Sequence, residues 1–137
     1  MKVLFKNILI LFLLLILNLT GCYQKPTVTS TDTYRISYQF KLIKNDSVGN
    51  DWKKEITYNG YALLTNGQEI KTNGRESIVL KITVTEKDTY PDVGSSQLTL
   101  LFKDGATAST EITVSENKGR YRGNCAVWKV TCTVAAA

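Results

Sequence analysis

The sequence predicts an all-β protein: an antiparallel two-sheet sandwich of about eight short strands, behind an N-terminal signal segment. Three observations predict it. Apolar side chains recur at every second position through most of the chain after Tyr34, and no long stripe of helical period interrupts them. Thr, Val, Ile and Tyr, which suit a pleated, half-buried surface, are frequent. The pairs Asn59-Gly60, Asn66-Gly67, Asn73-Gly74 and Asp104-Gly105 stand between alternating stretches, where tight hairpin turns need them. A closed barrel is the competing arrangement.

Residues 33–43 put Tyr34, Ile36, Tyr38, Phe40 and Leu42 on one face and Arg35, Ser37, Gln39 and Lys41 on the other. Residues 53–58, 61–64 and 68–71 are shorter and weaker stretches, with Ile56 and Tyr58 in the first. Residues 76–86 carry Ile78, Leu80, Ile82 and Val84 inward. Residues 96–103 carry Leu98, Leu100 and Phe102, and residues 107–115 carry Ile112 and Val114. Residues 125–134 end the domain with Ala126, Trp128, Val130, Cys132 and Val134 on one side, which makes Trp128 a core residue. If each connection reverses the chain, the three longest, 44–52, 87–95 and 116–124, fall at the same end. The chain enters its first strand at the opposite end.

Before this domain, Lys2 and Lys6 precede an unbroken apolar run from Ile8 to Leu17. A charged start, a short apolar stretch and small residues after it make a secretory signal. The run is shorter than the roughly 20 residues a permanent span needs. It closes on Leu19-Thr20-Gly21-Cys22, which resembles the lipobox of bacterial lipoproteins. The resemblance implies a cleaved signal peptide over residues 1–21 and a diacylglycerol on Cys22. It usually implies an acylated new amine as well, and an extracytoplasmic protein held on the bacterial cell membrane or outer membrane. Tyr23, rather than Asp, after the cysteine favours the outer membrane in Gram-negative members. Two or more acyl chains anchor stably where one does not. Residues 22–32, with Pro26 and a run of Thr and Ser, read as a flexible linker reaching at most roughly 35 Å. The β-sandwich domain then spans residues 33–134.

The formal charge of +5 includes Lys2 and Lys6. The remainder is mildly basic with no basic run, which gives nucleic-acid binding no support. Histidine is absent, which removes the commonest general base and metal ligand. Besides Cys22 there are Cys125 and Cys132. On one extended strand they would stand about 23 Å apart at 3.3 Å per residue, against the roughly 7 Å limit for a disulfide. Two free thiols are expected, with Cys132 buried; a bent segment carrying a disulfide is the alternative.

The loops hold the candidate functional residues. Asp46, Asp51, Glu86, Asp88 and Asp92 supply carboxylates of the kind Ca²⁺ takes in sets of six to eight oxygens. The stretch Ile82–Leu100 resembles the third loop of a C2 domain: Glu86-x-Asp88 matches its acid-x-acid pair, Asp92 the later acid and Gly94 the glycine. By that resemblance Asp46 and Asp51 would stand for the first loop's acids. The same residues also suit ordinary turns, with Asp46 and Asp88 in Asx-turns and Arg120 or Arg122 paired to Asp51 or Asp92. Tyr90, Tyr121, Arg120 and Arg122 are candidate contacts for a partner, an unidentified protein or an envelope polymer.

Three functions fit. One is a membrane-anchored binding or envelope-associated module using the three loops, with or without Ca²⁺. A second is a small carbohydrate- or wall-active hydrolase using the loop carboxylates Asp46, Asp51, Asp88 or Asp92 as acid and base. The third is a structural envelope protein. No nucleophile motif is present, so a non-enzymatic role is expected.

Overall fold

The computed structural model describes residues 32–137. The expected signal peptide, Cys22 and the linker to residue 31 lie outside the described residues. Within them are eight strands and no helix: β1 (Thr33–Asn45), β2 (Trp52–Tyr58), β3 (Ala62–Leu63), β4 (Gln68–Lys71), β5 (Ser77–Glu86), β6 (Asp92–Leu101), β7 (Thr107–Ser115) and β8 (Cys125–Ala136). They form two separate four-stranded sheets, ordered β4-β1-β8-β7 and β3-β2-β5-β6. Every pairing is antiparallel. This is the open sandwich rather than the barrel.

Period-2 alternation builds the core. Ile78, Leu80, Ile82 and Val84 of β5, Leu98 and Leu100 of β6, Ile112 and Val114 of β7, and five residues of β8 from Ala126 to Val134 are all buried in one cluster. Each large aliphatic side chain there contributes about 1.5–3 kcal/mol by leaving water. Trp128 is in this core, edge-on to Trp52 at 5.4 Å between ring centroids. Cys125 and Cys132 lie along β8 as free thiols.

The two long edges of the sandwich differ. On one, β6 and β7 close against each other: the Ser96 and Thr110 hydroxyls hydrogen-bond at 2.7 Å. Gly94 permits that approach, because a Cβ there would overlap the Thr113 carbonyl and stand 2.9 Å from an Ile112 methyl. On the other edge β4 pairs β1 only over Thr33–Ile36, and β3 pairs β2 only at Thr57 and Tyr58. The upper part of β1 is therefore open. Of the five β1 residues expected to face the core only Ile36 is fully buried; Tyr34, Tyr38 and Phe40 are half-buried and Leu42 is exposed. Parity put them on the right face, but two- and four-residue edge strands do not cover that face. A bulge between Leu42 and Lys44 shifts the β1–β8 register near the end of β1, and pairing continues through Asn45.

Candidate functional site

Three inner-face positions continue the core rows past their last apolar residue. After Val84 the next inward position of β5 is Glu86. Directly opposite it, β6 begins with Asp92. After Val114 the next such position beyond β7 is Glu116. Glu86 is 4% exposed, Asp92 is 0% exposed, and Glu116 is half-buried. Like charges directly opposite on adjacent strands repel, and buried carboxylates keep their charge only with partners. Here the partners are few. Asp92 Oδ1 accepts the Asn117 amide at 2.9 Å, which ties the last loop to β6. Glu86 Oε2 and Asp92 Oδ2 are buried with no hydrogen-bond partner.

Two of these acids, Glu86 and Glu116, hold their protons more tightly than an ordinary carboxyl. Burial pushes the Glu86 pKa up, and the charges of Asp88, Asp92, Glu116 and Asp51 add to it. Glu116 is pushed up by desolvation first, then by Asp92 and Asp88, with the contact to Asp92 in the same direction and a backbone hydrogen bond from Lys118 opposing.

Three loops meet over this acidic floor and are built largely by their own hydrogen bonds. In loop 46–51, Asn45 accepts from the Val48 amide at 2.9 Å and donates to the Gly49 carbonyl at 2.7 Å, while Val48 plugs the core beneath. In loop 87–91, Asp88 Oδ1 accepts the Tyr90 amide at 2.7 Å, the expected Asx-turn. Loop 116–124 closes on Glu116 through backbone bonds to and from Asn124 and Gly123. Between the loops is an open cleft of 470 Å³. Gly49 and Val48 line one wall. Glu86, Asp88 and Tyr90 line another, and Glu116, Lys118 and Tyr121 a third. Gly49 has φ 138°, and a Cβ there would overlap the Glu86 carboxylate. Tyr90 and Tyr121 are 58% and 48% exposed on the rim. Each carries a cation from the last loop: the Lys118 ammonium is 4.4 Å from the Tyr90 ring centroid, and the Arg120 guanidinium is 5.7 Å from that of Tyr121.

No protein-family model, curated protein or solved structure matches the chain. The site is therefore read from its own chemistry.

The five carboxylates considered for Ca²⁺ are not gathered. Among the described residues no three of Asp, Glu, Cys or His are placed to hold a metal ion. Asp46 is held by Lys44, and Asp51 by Lys87 at 3.1 Å. Asp88 turns back to its own loop. Only Glu86 and Asp92 point together into the interior. The anticipated pairing of Asp51 or Asp92 with Arg120 or Arg122 gives way to Lys87 and the Asn117 amide. Tyr90, Tyr121 and Arg120 line the cleft; Arg122 does not. Glu116 was missed among the candidates. The signal for it was present: Ile112, Val114 and Glu116 share one parity, as do Ile82, Val84 and Glu86.

Proposed function

We propose that the chain is a lipid-anchored, extracytoplasmic binding module of the bacterial cell envelope, with the cleft end of the sandwich as its binding surface. Support for the anchor is the signal-like segment and the lipobox-like Leu19-Thr20-Gly21-Cys22. Support for the surface is geometric. The chain enters β1 at Thr33, which pairs with Lys71 beside the C-terminus, while the three loops gather at the other end of β1. A tether at the first end presents the second end outward. Functional residues concentrate on loops held by a rigid scaffold. The observation that carries the reading is a buried carboxylate, Glu86, with its Oε2 unpartnered, under an open cleft with tyrosines on its rim.

The test is site-specific photocrosslinking on intact cells. A crosslinker at Tyr121 should capture an envelope component, and one at Asp104, in the turn at the opposite end, should not. Equal capture from both, or none from Tyr121, overturns the assignment of the surface.

A second reading has one observation in its favour. Glu116, half-buried and held toward its protonated form, lines the same cleft as Asp88, an arrangement of acid and base that a wall-polymer hydrolase could use. Release of soluble fragments from purified wall polymer, lost in Glu116→Gln, would establish it; no release removes it.

A further inference from the structure

We propose that the cleft receives a primary ammonium group on a short aliphatic arm, such as the end of a lysine-like side chain or an amine on an envelope polymer, with Glu86 as its counter-charge. This rests on the cleft end being the binding surface and names the chemistry that would occupy it.

The argument begins with an imbalance. Glu86, Asp92 and Glu116 converge below the cleft, and Asp88 stands on its wall. The ion pairs of the described residues are Arg35–Glu69, Lys44–Asp46, Lys53–Glu55 and Lys87–Asp51. None reaches these four acids. A buried carboxylate oxygen with no donor, such as Glu86 Oε2, costs free energy until a donor arrives. A cation bearing N–H groups supplies charge and donors together, and charge-assisted hydrogen bonds are the strong ones.

The shape of the site favours an organic cation over a metal ion. A metal needs several oxygens at a common short distance, and no three acids are so placed. The cleft, at 470 Å³, falls within the range of small-molecule sites. Its rim is aromatic, and a tyrosine face attracts ammonium groups. The molecule already provides an example, because the Lys118 ammonium rests over the Tyr90 ring. Lys118 is on an exposed loop and can swing out, leaving its place to an incoming ammonium that also reaches Glu86. Gly49 packs its bare Cα against that carboxylate, where any side chain would overlap it.

The test titrates the full chain, in a neutral detergent, with n-butylammonium chloride. The controls are n-butanol, sodium chloride at equal ionic strength, and calcium chloride. The readout is the amide NMR signals of Gly49, Thr89 and Gly119. Saturable shifts are expected with n-butylammonium, with affinity at least about tenfold weaker for n-butanol and about tenfold weaker in Glu86→Gln. If Glu86→Gln does not fold, Glu116→Gln, at a half-buried position, serves in its place with a smaller loss. Binding should tighten as pH rises above 4.5 and through the raised values of both acids. Glu86 and Glu116, facing Asp51, Asp88 and Asp92 on one side and Lys118 and Arg120 on the other, must release protons to hold a cation. Equal response to n-butanol, saturation by calcium alone, or flat signals would overturn the proposal. Flat signals with crosslinking from Tyr121 intact would remove the ammonium and leave the binding-module reading standing.

Discussion

The two ends of the sandwich solve the same problem, reversing a strand, in opposite ways. At the end where the chain enters β1 the turns are short and locally satisfied. Asn59 and Asn73 take the left-handed φ values of 51° and 50° that their turns need. Arg75 donates to Asn59 Oδ1 and to the carbonyls of Thr72 and Lys71. Asp104 Oδ1 accepts the Ala136 amide. At the cleft end the loops are longer, and the inward rows of β5, β6 and β7 run on to acids, Glu86, Asp92 and Glu116. Glu86 Oε2, Asp92 Oδ2 and Trp128 Nε1, the buried side-chain atoms without a partner among the described residues, all lie in this half. The Lys54 ammonium, 4.9 Å from the Trp128 ring, sits over its face. Chain reversal alone requires none of this. An end that is less stable than it needs to be is where a function is expected.

The largest expected effect tests that contrast with one substitution at each end. Gly49→Ala combines a φ of 138° with overlap on the Glu86 carboxylate and should destabilise by about 3 kcal/mol. Gly105→Ala also meets a positive φ, 75°, but its Cβ would enter open space, so only the backbone preference is lost, about 1 kcal/mol. Urea unfolding of both variants measures the difference. Equal losses would mean that Glu86 moves aside freely and that the cleft floor is not fixed.

The tight turns at the β1 entry end and the core were legible in the sequence, and the floor of the cleft only half so. Inward parity named the buried residues of β5, β7 and β8, because the facing sheet covers those positions. It failed for Leu42, since coverage depends on how long the neighbouring strands are, which a residue's own parity does not reveal. The acids were legible as loop carboxylates, but composition grouped Asp46 and Asp51 with Glu86 and Asp92. The structure separates them: the first two are neutralised by Lys44 and Lys87, and the second two face inward. Extending the parity of each core row by one step would have selected Glu86 and Glu116 and left out Asp46.

The next effect in size is a pH dependence confined to the cleft end. Glu86 and Glu116 have native pKa values raised above the ordinary 4.5. The native state therefore binds protons more tightly than the unfolded chain does. Their contribution to stability is fully present below pH 4.5 and is lost as pH rises through the native values. Thermal unfolding should show stability falling over that rise, and Glu86→Gln should flatten the slope. An unchanged slope would show that the repulsion is relieved in some other way. At the opposite end, Asp104→Ala removes one hydrogen bond, 2.9 Å long, to an exposed amide and should cost about 1 kcal/mol by urea unfolding.

The smallest expected effect is on reactivity, and it uses the two thiols of β8 as reporters of the two ends. Cys125 begins the strand under the loops and is half-buried, and its carbonyl accepts the Asp46 amide. Cys132 lies further along, fully buried, and burial pushes its thiol up to about 11. The thiolate is the reactive species, so at pH 8 Cys132 is protected both by its pKa and by its covering. Iodoacetamide should alkylate Cys125 in the folded chain and leave Cys132 unmodified until global unfolding, as peptide mass mapping can follow. The Cys125 rate then reports opening of the loop end, and the Cys132 rate opening of the whole domain. Gly49→Ala should accelerate the first more than the second, because it disturbs loop 46–51 directly. If both thiols react together in the unaltered chain, the two ends open as one unit, and the cleft is no looser than the rest of the sandwich.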